Sequence, residues 1–263
     1  MKRIIDDLIV IKVGTNTLTK NNKLDKTSFE SIGEQIDDLR ANGHSIVVVT
    51  SAGIVSGIEL TGSKPKLEGD YDTVDYQRFA SLGWQRLLST WDKHIKTAHV
   101  GGLLLTRPEL DRTLETSEAM NVIHRLLQHG DVPVINENDA IFHEEITFGD
   151  NDRLAAVLAA SLIRSPLFGR NVKLVVLSDI NGVYENVNDH LSVISEISNI
   201  KSYVHVAGES VSGNGKGGMK SKFEAATLAT ENSIDMWIAN GRETNAIARA
   251  ISGEIGTRFI SRA

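Results

Sequence analysis

Six short runs rich in β-branched residues recur along the chain, at Leu8 to Val13, Ile46 to Thr50, His99 to Leu105, Val132 to Asn136, Lys173 to Leu177 and Met236 to Ala239. Between them the apolar period changes: Phe29, Ile32, Ile36 and Leu39 step by three and four, and Val74 to Ile95 carries Phe79, Leu82, Leu87, Leu88 and Trp91. A short, nearly continuous apolar run suits a strand buried on both faces, and strands separated by amphipathic helices form a mainly parallel sheet. The sequence therefore predicts an α/β fold. No internal repeat, low-complexity tract or Pro/Ser linker divides it, so a single domain over residues 1–263 is the simplest organisation. Thr61 to Asp72 and Glu185 to Asp189 read as surface loops. Ala140 to Phe148 reads as a β-hairpin, since Ile141, Ile146 and Phe148 lack helical spacing.

With 41% hydrophobic residues in 263, the chain can bury a full core. A formal net charge of -6 argues against a nucleic-acid partner. The absence of cysteine excludes disulfides and thiolate zinc sites and fits a reducing compartment. Asp6, Asp7 and Lys12 break the apolar start, so neither a signal peptide nor a membrane span is expected there, and the expected location is cytoplasmic.

Ligands of parallel α/β sheets gather beyond the carboxyl ends of the strands. There this chain reads Lys12-Val13-Gly14-Thr15, Thr50-Ser51-Ala52-Gly53, Asn136-Glu137-Asn138-Asp139, Ser178-Asp179 and Asn240-Gly241. An ammonium group within an apolar strand is costly unless it reaches water or an anion. Lys12 is thus either an edge-strand residue or a phosphate ligand, and the adjacent Gly14-Thr15 favours the phosphate. Gly149-Asp150-Asn151-Asp152 precedes an apolar helix. Asn151 or Asp152 would serve as its cap, but three polar groups exceed what a cap needs. With Asn136 and Asp139 they supply amides and carboxylates for a polar small molecule or for orienting lysines. The eight histidines lack H-E-x-x-H spacing and no G-x-S-x-G elbow occurs, so neither a histidine metal site nor an α/β serine hydrolase is expected.

Ser210 to Lys222 reads SVSGNGKGGMKSK. Gly213, Gly215 and Gly218 fit G-x-G-x-x-G, yet the loop lies late in the chain and lacks the acidic residue that closes the next strand of a dinucleotide fold. A Walker loop needs Lys where Met219 follows Gly218. What remains is either a solvated surface loop or an anion site of glycine amides at a helix start, with Lys216, Lys220 or Lys222 supplying charge.

Taken in order, Ile11-Lys12-Val13-Gly14-Thr15, Val49-Thr50-Ser51, Leu104-Leu105-Thr106-Arg107, the VPVINENDA stretch from Val132, Gly149-Asp150-Asn151-Asp152 and Gly217-Gly218-Met219-Lys220-Ser221-Lys222 resemble the amino-acid kinase superfamily, and within it the glutamate 5-kinase family. The resemblance implies a three-layer αβα sandwich, ending without the C-terminal PUA domain that many members carry. It implies phosphorylation of the γ-carboxylate of glutamate by ATP and Mg²⁺, the first step of proline biosynthesis. By the same resemblance Lys12 and Lys222 face the phosphates and Asp152 holds them, while Ser51, Asp139 and Asn151, with Asp150 and Asn136, bind glutamate. The nucleotide falls to Lys12, Gly14, Thr15, Ser178, Asp179, Lys216, Gly217, Gly218, Met219, Lys220, Ser221 and Lys222. No protein-borne metal site is implied, Mg²⁺ being held mainly through the nucleotide phosphates. A dimer or tetramer is implied, and feedback inhibition by proline is suggested.

Three stretches depart from the family's usual pattern. Ser51-Ala52-Gly53 stands for Ser-Gly-Ala, Leu82-Gly83-Trp84 for Val-Gly-Gln, and Lys216 for the threonine of Gly-Thr-Gly-Gly-Met. Two other readings therefore stay open. One is a kinase of another carboxylate, a carbamate or a phosphate monoester; the other is a catalytically weak regulator that binds a nucleotide or an amino acid.

Overall fold

A computed structural model describes residues 7–64, 71–106, 113–141, 151–169, 171–186, 188–189, 191–203 and 218–261, with 113–117 as backbone only. In chain order the elements are β1 (Leu8–Val13), α1 (Thr15–Leu18), β2 (Thr19–Lys20), β3 (Lys23–Leu24), α2 (Lys26–Ala41), β4 (Ser45–Thr50), α3 (Gly53–Thr61), α4 (Thr73–His94), β5 (Val100–Leu105), α5 (Thr113–His129), β6 (Val132–Glu137), α6 (Asn151–Arg164), β7 (Val172–Ser178), β8 (Glu196–Ile197), α7 (Met219–Glu231), β9 (Met236–Asn240), α8 (Ala246–Ile251) and β10 (Thr257–Phe259). Eight strands form one sheet in the order β5-β6-β4-β1-β7-β9-β10-β8. All its pairings are parallel except β9 with β10.

The six strands predicted from composition are β1, β4, β5, β6, β7 and β9. The small hairpin β2–β3 was not expected, although its signal is present: Asn21 and Asn22 both take positive φ, 52° and 58°, as a two-residue hairpin turn requires. The predicted hairpin from Ala140 lies, beyond Ile141, outside the described residues, as does the middle of the loop from Thr61 to Asp72.

Side-chain alternation along β1 builds the layers. Leu8 and Val10 join the core formed with α5, α6 and α7, including Ile123, Leu158 and Phe223. Ile9, Ile11 and Val13 join the opposite core, with Phe29 of α2, Trp91 of α4 and Ile247 of α8. Helices therefore cover both faces of the sheet, the αβα arrangement. Lys12 shares the parity of Leu8 and Val10, which directs it to the α6 and α7 layer.

Glycine sets one further contact. Helices α3 and α4 cross so closely that a β-carbon on Gly57 would lie 2.0 Å from the Phe79 carbonyl oxygen. Among the described residues, no helix is long and apolar enough to cross a membrane.

Candidate active site

Strand β1 lies between β4 and β7, and Lys12 pairs in register with Val49 and Val176. The edge-strand reading of Lys12 is thereby excluded, and the residue is only 4% exposed. Its Nζ instead meets Asp152 Oδ1 at 2.5 Å, where Asp152 is the second residue of α6 and wholly buried. Lys222, in the first turn of α7, places Nζ 3.1 Å from the other oxygen, Oδ2, and Ser221 Oγ donates to that oxygen over 3.3 Å.

Burial alone would push the Asp152 carboxyl up, but the ammonium groups of Lys12 and Lys222 and their hydrogen bonds hold it below the usual carboxylate range. Charges taken out of water persist only when paired. Two ammonium groups sharing one carboxylate leave this cluster net positive, at the end of the sheet where an α/β fold receives its ligand. That is an electrostatic seat for an anion.

Beside it, Asn151 does not serve as a cap. Its Nδ2 donates across to the Thr50 carbonyl at 2.8 Å, Ser51 Oγ at 2.9 Å and Asn136 Oδ1 at 3.0 Å, drawing the ends of β4 and β6 to the start of α6. Asp139 follows β6, and its carboxyl is pushed up to about 7 by burial and then by Glu137. Ala52 turns the chain into α3 at φ 77°, in the left-handed region. A β-carbon on the next residue, Gly53, would stand 3.1 Å from Asn136 Nδ2.

Around Lys12, Gly14 contributes space; its N–H donates to the Leu177 carbonyl at 3.1 Å and so continues the sheet. A β-carbon there would lie 3.5 Å from Lys12 Nζ. Thr15 is half-buried at the start of α1. Ser178 Oγ donates to Asp179 Oδ1 at 3.2 Å, and Asn16 Nδ2 donates to Asp179 Oδ2 at 2.9 Å. Within the first turn of α7, Gly218 precedes a buried Met219, whereas Lys220 is exposed and stands apart from the lysine cluster. Lys216, Gly217 and Asp150 lie outside the described residues.

Three residues at this end of the sheet escaped the sequence reading. Asn16 ties α1 to Asp179; Arg242 Nη2 donates to the carbonyls of Asn16 and Thr19, at 2.9 and 3.1 Å; and Trp91 Nε1 donates to Thr50 Oγ1 at 2.9 Å. Asn16 follows Gly14-Thr15 directly, so its place at a strand end was the available signal. Among the described residues no group of three His, Asp or Glu side chains stands together to hold a metal ion.

A family model described as the amino acid kinase family matches residues 7–240. The glutamate 5-kinase of Clostridium acetobutylicum is 38% identical over 261 residues, covering 96% of this chain and 94% of the relative. That of Photorhabdus laumondii is 36% identical over 259 residues, covering 95% of this chain and 68% of the relative. Among solved structures, a carbamate kinase of Giardia has a TM-score of 0.65 at 14% identity, over 97% of this chain and 99% of that one. The UMP kinase of Bacillus anthracis has a TM-score of 0.64 at 15% identity, over 98% and 97%. At such identities these two speak for the fold alone. With its family match running from the start of β1 to the end of β9 and relatives aligned along nearly its whole length, the chain belongs to the amino acid kinase family.

Proposed function

We propose that this chain is a glutamate 5-kinase: it transfers the γ-phosphoryl group of MgATP to the γ-carboxylate of L-glutamate, giving L-glutamyl 5-phosphate and ADP for proline biosynthesis. The observation that carries the reading is the buried cluster in which Lys12 and Lys222 meet the two oxygens of Asp152, in a chain whose relatives bear that name.

A γ-carboxylate oxygen attacks the γ-phosphorus; the bond to the β,γ-bridging oxygen breaks, and its electron pair leaves on ADP. With an ordinary pKa of about 4.3 the acceptor is already ionised at neutral pH, so no general base is required. Phosphoryl transfer needs alignment and positive charge around the equatorial oxygens, which Lys12 and Lys222 supply. Asp152 holds both lysines in place. The ion enters as part of MgATP.

Ser51, Asn136 and Asn151, with Asp139 and Asp150, bind glutamate in this reading, its ammonium group drawing Asp139 to the ionised form. Thr15, Ser178, Asp179 and the segment 216–222 take the nucleotide. Assembly into dimers or tetramers, inhibition by proline and a cytoplasmic location belong to the same reading.

The test traps the acyl phosphate. Incubation with ATP, Mg²⁺, glutamate and hydroxylamine yields the γ-hydroxamate; ADP release driven by carbamate, a phosphate monoester or another carboxylate, with no hydroxamate from glutamate, refutes the assignment. No turnover with any acceptor, in a protein that binds ATP, favours the regulator.

A further inference from the structure

The Trp91 indole lies wholly inside the protein, edge-on to Phe29 with ring centroids 4.8 Å apart. A core tryptophan needs some acceptor for its N–H. Here that acceptor is the hydroxyl of Thr50, the last residue of β4, at 2.9 Å. A hydroxyl has one proton to give; Thr50 Oγ1, receiving from the indole, donates its own to the Ser51 carbonyl at 3.1 Å. The Thr50 carbonyl in turn accepts from Asn151 Nδ2, the same nitrogen that reaches Ser51 Oγ and Asn136 Oδ1.

The Ser51–Ala52 peptide leads directly into the left-handed Ala52, φ 77°, a conformation that alanine holds only when its surroundings over-determine it. We infer that Trp91 and Thr50 are positioning residues: a buried relay from α4 fixes the Ser51–Ala52 peptide, and with it the Ser51 hydroxyl and Asn151 amide that face the acceptor. The inference rests on the reading of this strand end as the glutamate pocket.

Three single variants and one double variant test it by steady-state kinetics and thermal unfolding. Trp91→Phe keeps a ring without the donor, Thr50→Val keeps the shape without the hydroxyl, and Thr50→Ser retains the hydroxyl. Losing the Thr50 hydroxyl, and with it both the bond from Trp91 and the bond to the Ser51 carbonyl, in Thr50→Val raises KM for glutamate about tenfold while KM for ATP stays within about twofold, and Thr50→Ser restores the parent value. Trp91→Phe raises the glutamate KM in the same direction and by less.

The double variant Trp91→Phe/Thr50→Val separates positioning from packing. With both polar partners removed from an apolar site, the melting temperature returns toward that of the parent. The glutamate KM nevertheless stays raised, because the Ser51 carbonyl has lost its donor. A glutamate KM that recovers together with the melting temperature, or an ATP KM that rises in step with it, overturns the inference. Failure of the functional reading looks different: the parent itself then makes no hydroxamate from glutamate, and the same four variants are compared on the acceptor that does drive ADP release.

Discussion

A β-carbon on Gly83 would fall 1.9 Å from the Gly53 carbonyl oxygen, with the Gly57 nitrogen only 2.5 Å away. Backbone meets backbone there, so nothing flexible can give way. Because α3 begins at Gly53, directly after Ser51 and Ala52, this crossing also sets the position of the turn at the end of β4, where the acceptor is proposed to bind. The Gly83→Ala variant gains about 1 kcal/mol of helix propensity but must push α4 off α3, a distortion that typically costs about 1–3 kcal/mol and here sits at the severe end. Net destabilisation in urea unfolding, with a raised KM for glutamate, is the expected result; a variant as stable as the parent would show that the helices separate freely.

Lys222 faces the carboxylate oxygen that Lys12 leaves open, and the proposed chemistry needs both charges. Removing one electrostatic donor from a phosphoryl-transfer site typically costs about 10²- to 10³-fold in rate. Lys222→Ala is therefore expected to lower kcat by that factor with ATP binding largely kept, as measured by hydroxamate formation beside direct nucleotide titration. Retained turnover removes Lys222 from the chemistry.

Asp152 carries the stability consequence of the same cluster. Its carboxyl is held below the usual range in the folded protein, so its contribution is present above the unfolded pKa of about 3.9 and is lost as pH falls through the folded value. Asp152→Asn leaves two buried ammonium groups with no counter-charge between them, a change expected to cost about 3–5 kcal/mol at neutral pH. Chemical denaturation from pH 7 downward should show the gap between parent and variant narrowing only below about pH 4. A gap that is constant with pH would mean that the lost carboxylate charge is not its cause.

Much of this architecture is legible in the sequence because burial on both faces of a parallel strand leaves an apolar run that composition alone reveals. The strand ends then localise the polar residues. Which polar ends meet is another matter. Lys12 is compatible with an edge strand until β4 and β7 are seen to flank it. Asn151 looks like a helix cap, yet its amide crosses to Thr50 and Asn136. Asn16 and Asp179, 163 residues apart, and Trp91 and Thr50, 41 apart, join through tertiary placement, of which periodicity carries no trace. The β2–β3 hairpin is different: Asn21-Asn22 announces the turn, but flanking strands of two residues are too short to register as strands.

Ala52 occupies a left-handed position, φ 77°, and a glycine, Gly53, follows it. A left-handed alanine costs about 1–2 kcal/mol, whereas replacing it by glycine returns about 0.4–1 kcal/mol of entropy to the unfolded chain. Ala52→Gly is accordingly expected to stabilise the protein by up to about 1 kcal/mol in equilibrium denaturation, with glutamate turnover changed by less than about twofold. Clear destabilisation would show that the β-carbon of Ala52 makes a contact worth more than the strain.

In the proposed acceptor site, Asp139 is the source of a pH dependence. With its carboxyl pushed up to about 7 by burial and by Glu137, it holds a proton below that pH, and on the proposed reading the glutamate ammonium group displaces this proton on binding. KM for glutamate should therefore fall as pH rises toward 7, with a limiting slope of about tenfold per pH unit well below it, and Asp139→Asn should abolish the slope while weakening binding at pH 8. The stability effect has the opposite sense. Because the folded state holds a proton that the unfolded chain has released, Asp139 contributes fully below about 3.8 and loses that contribution as pH rises through about 7. Asp139→Asn, which cannot ionise, should gain stability relative to the parent between pH 5 and pH 8, by about 2–3 kcal/mol at most, because only about two pH units of the raised range lie in that window. Thermal unfolding at the two pH values reads the difference, and parent and variant curves that stay parallel would show that Asp139 ionises as an ordinary carboxylate.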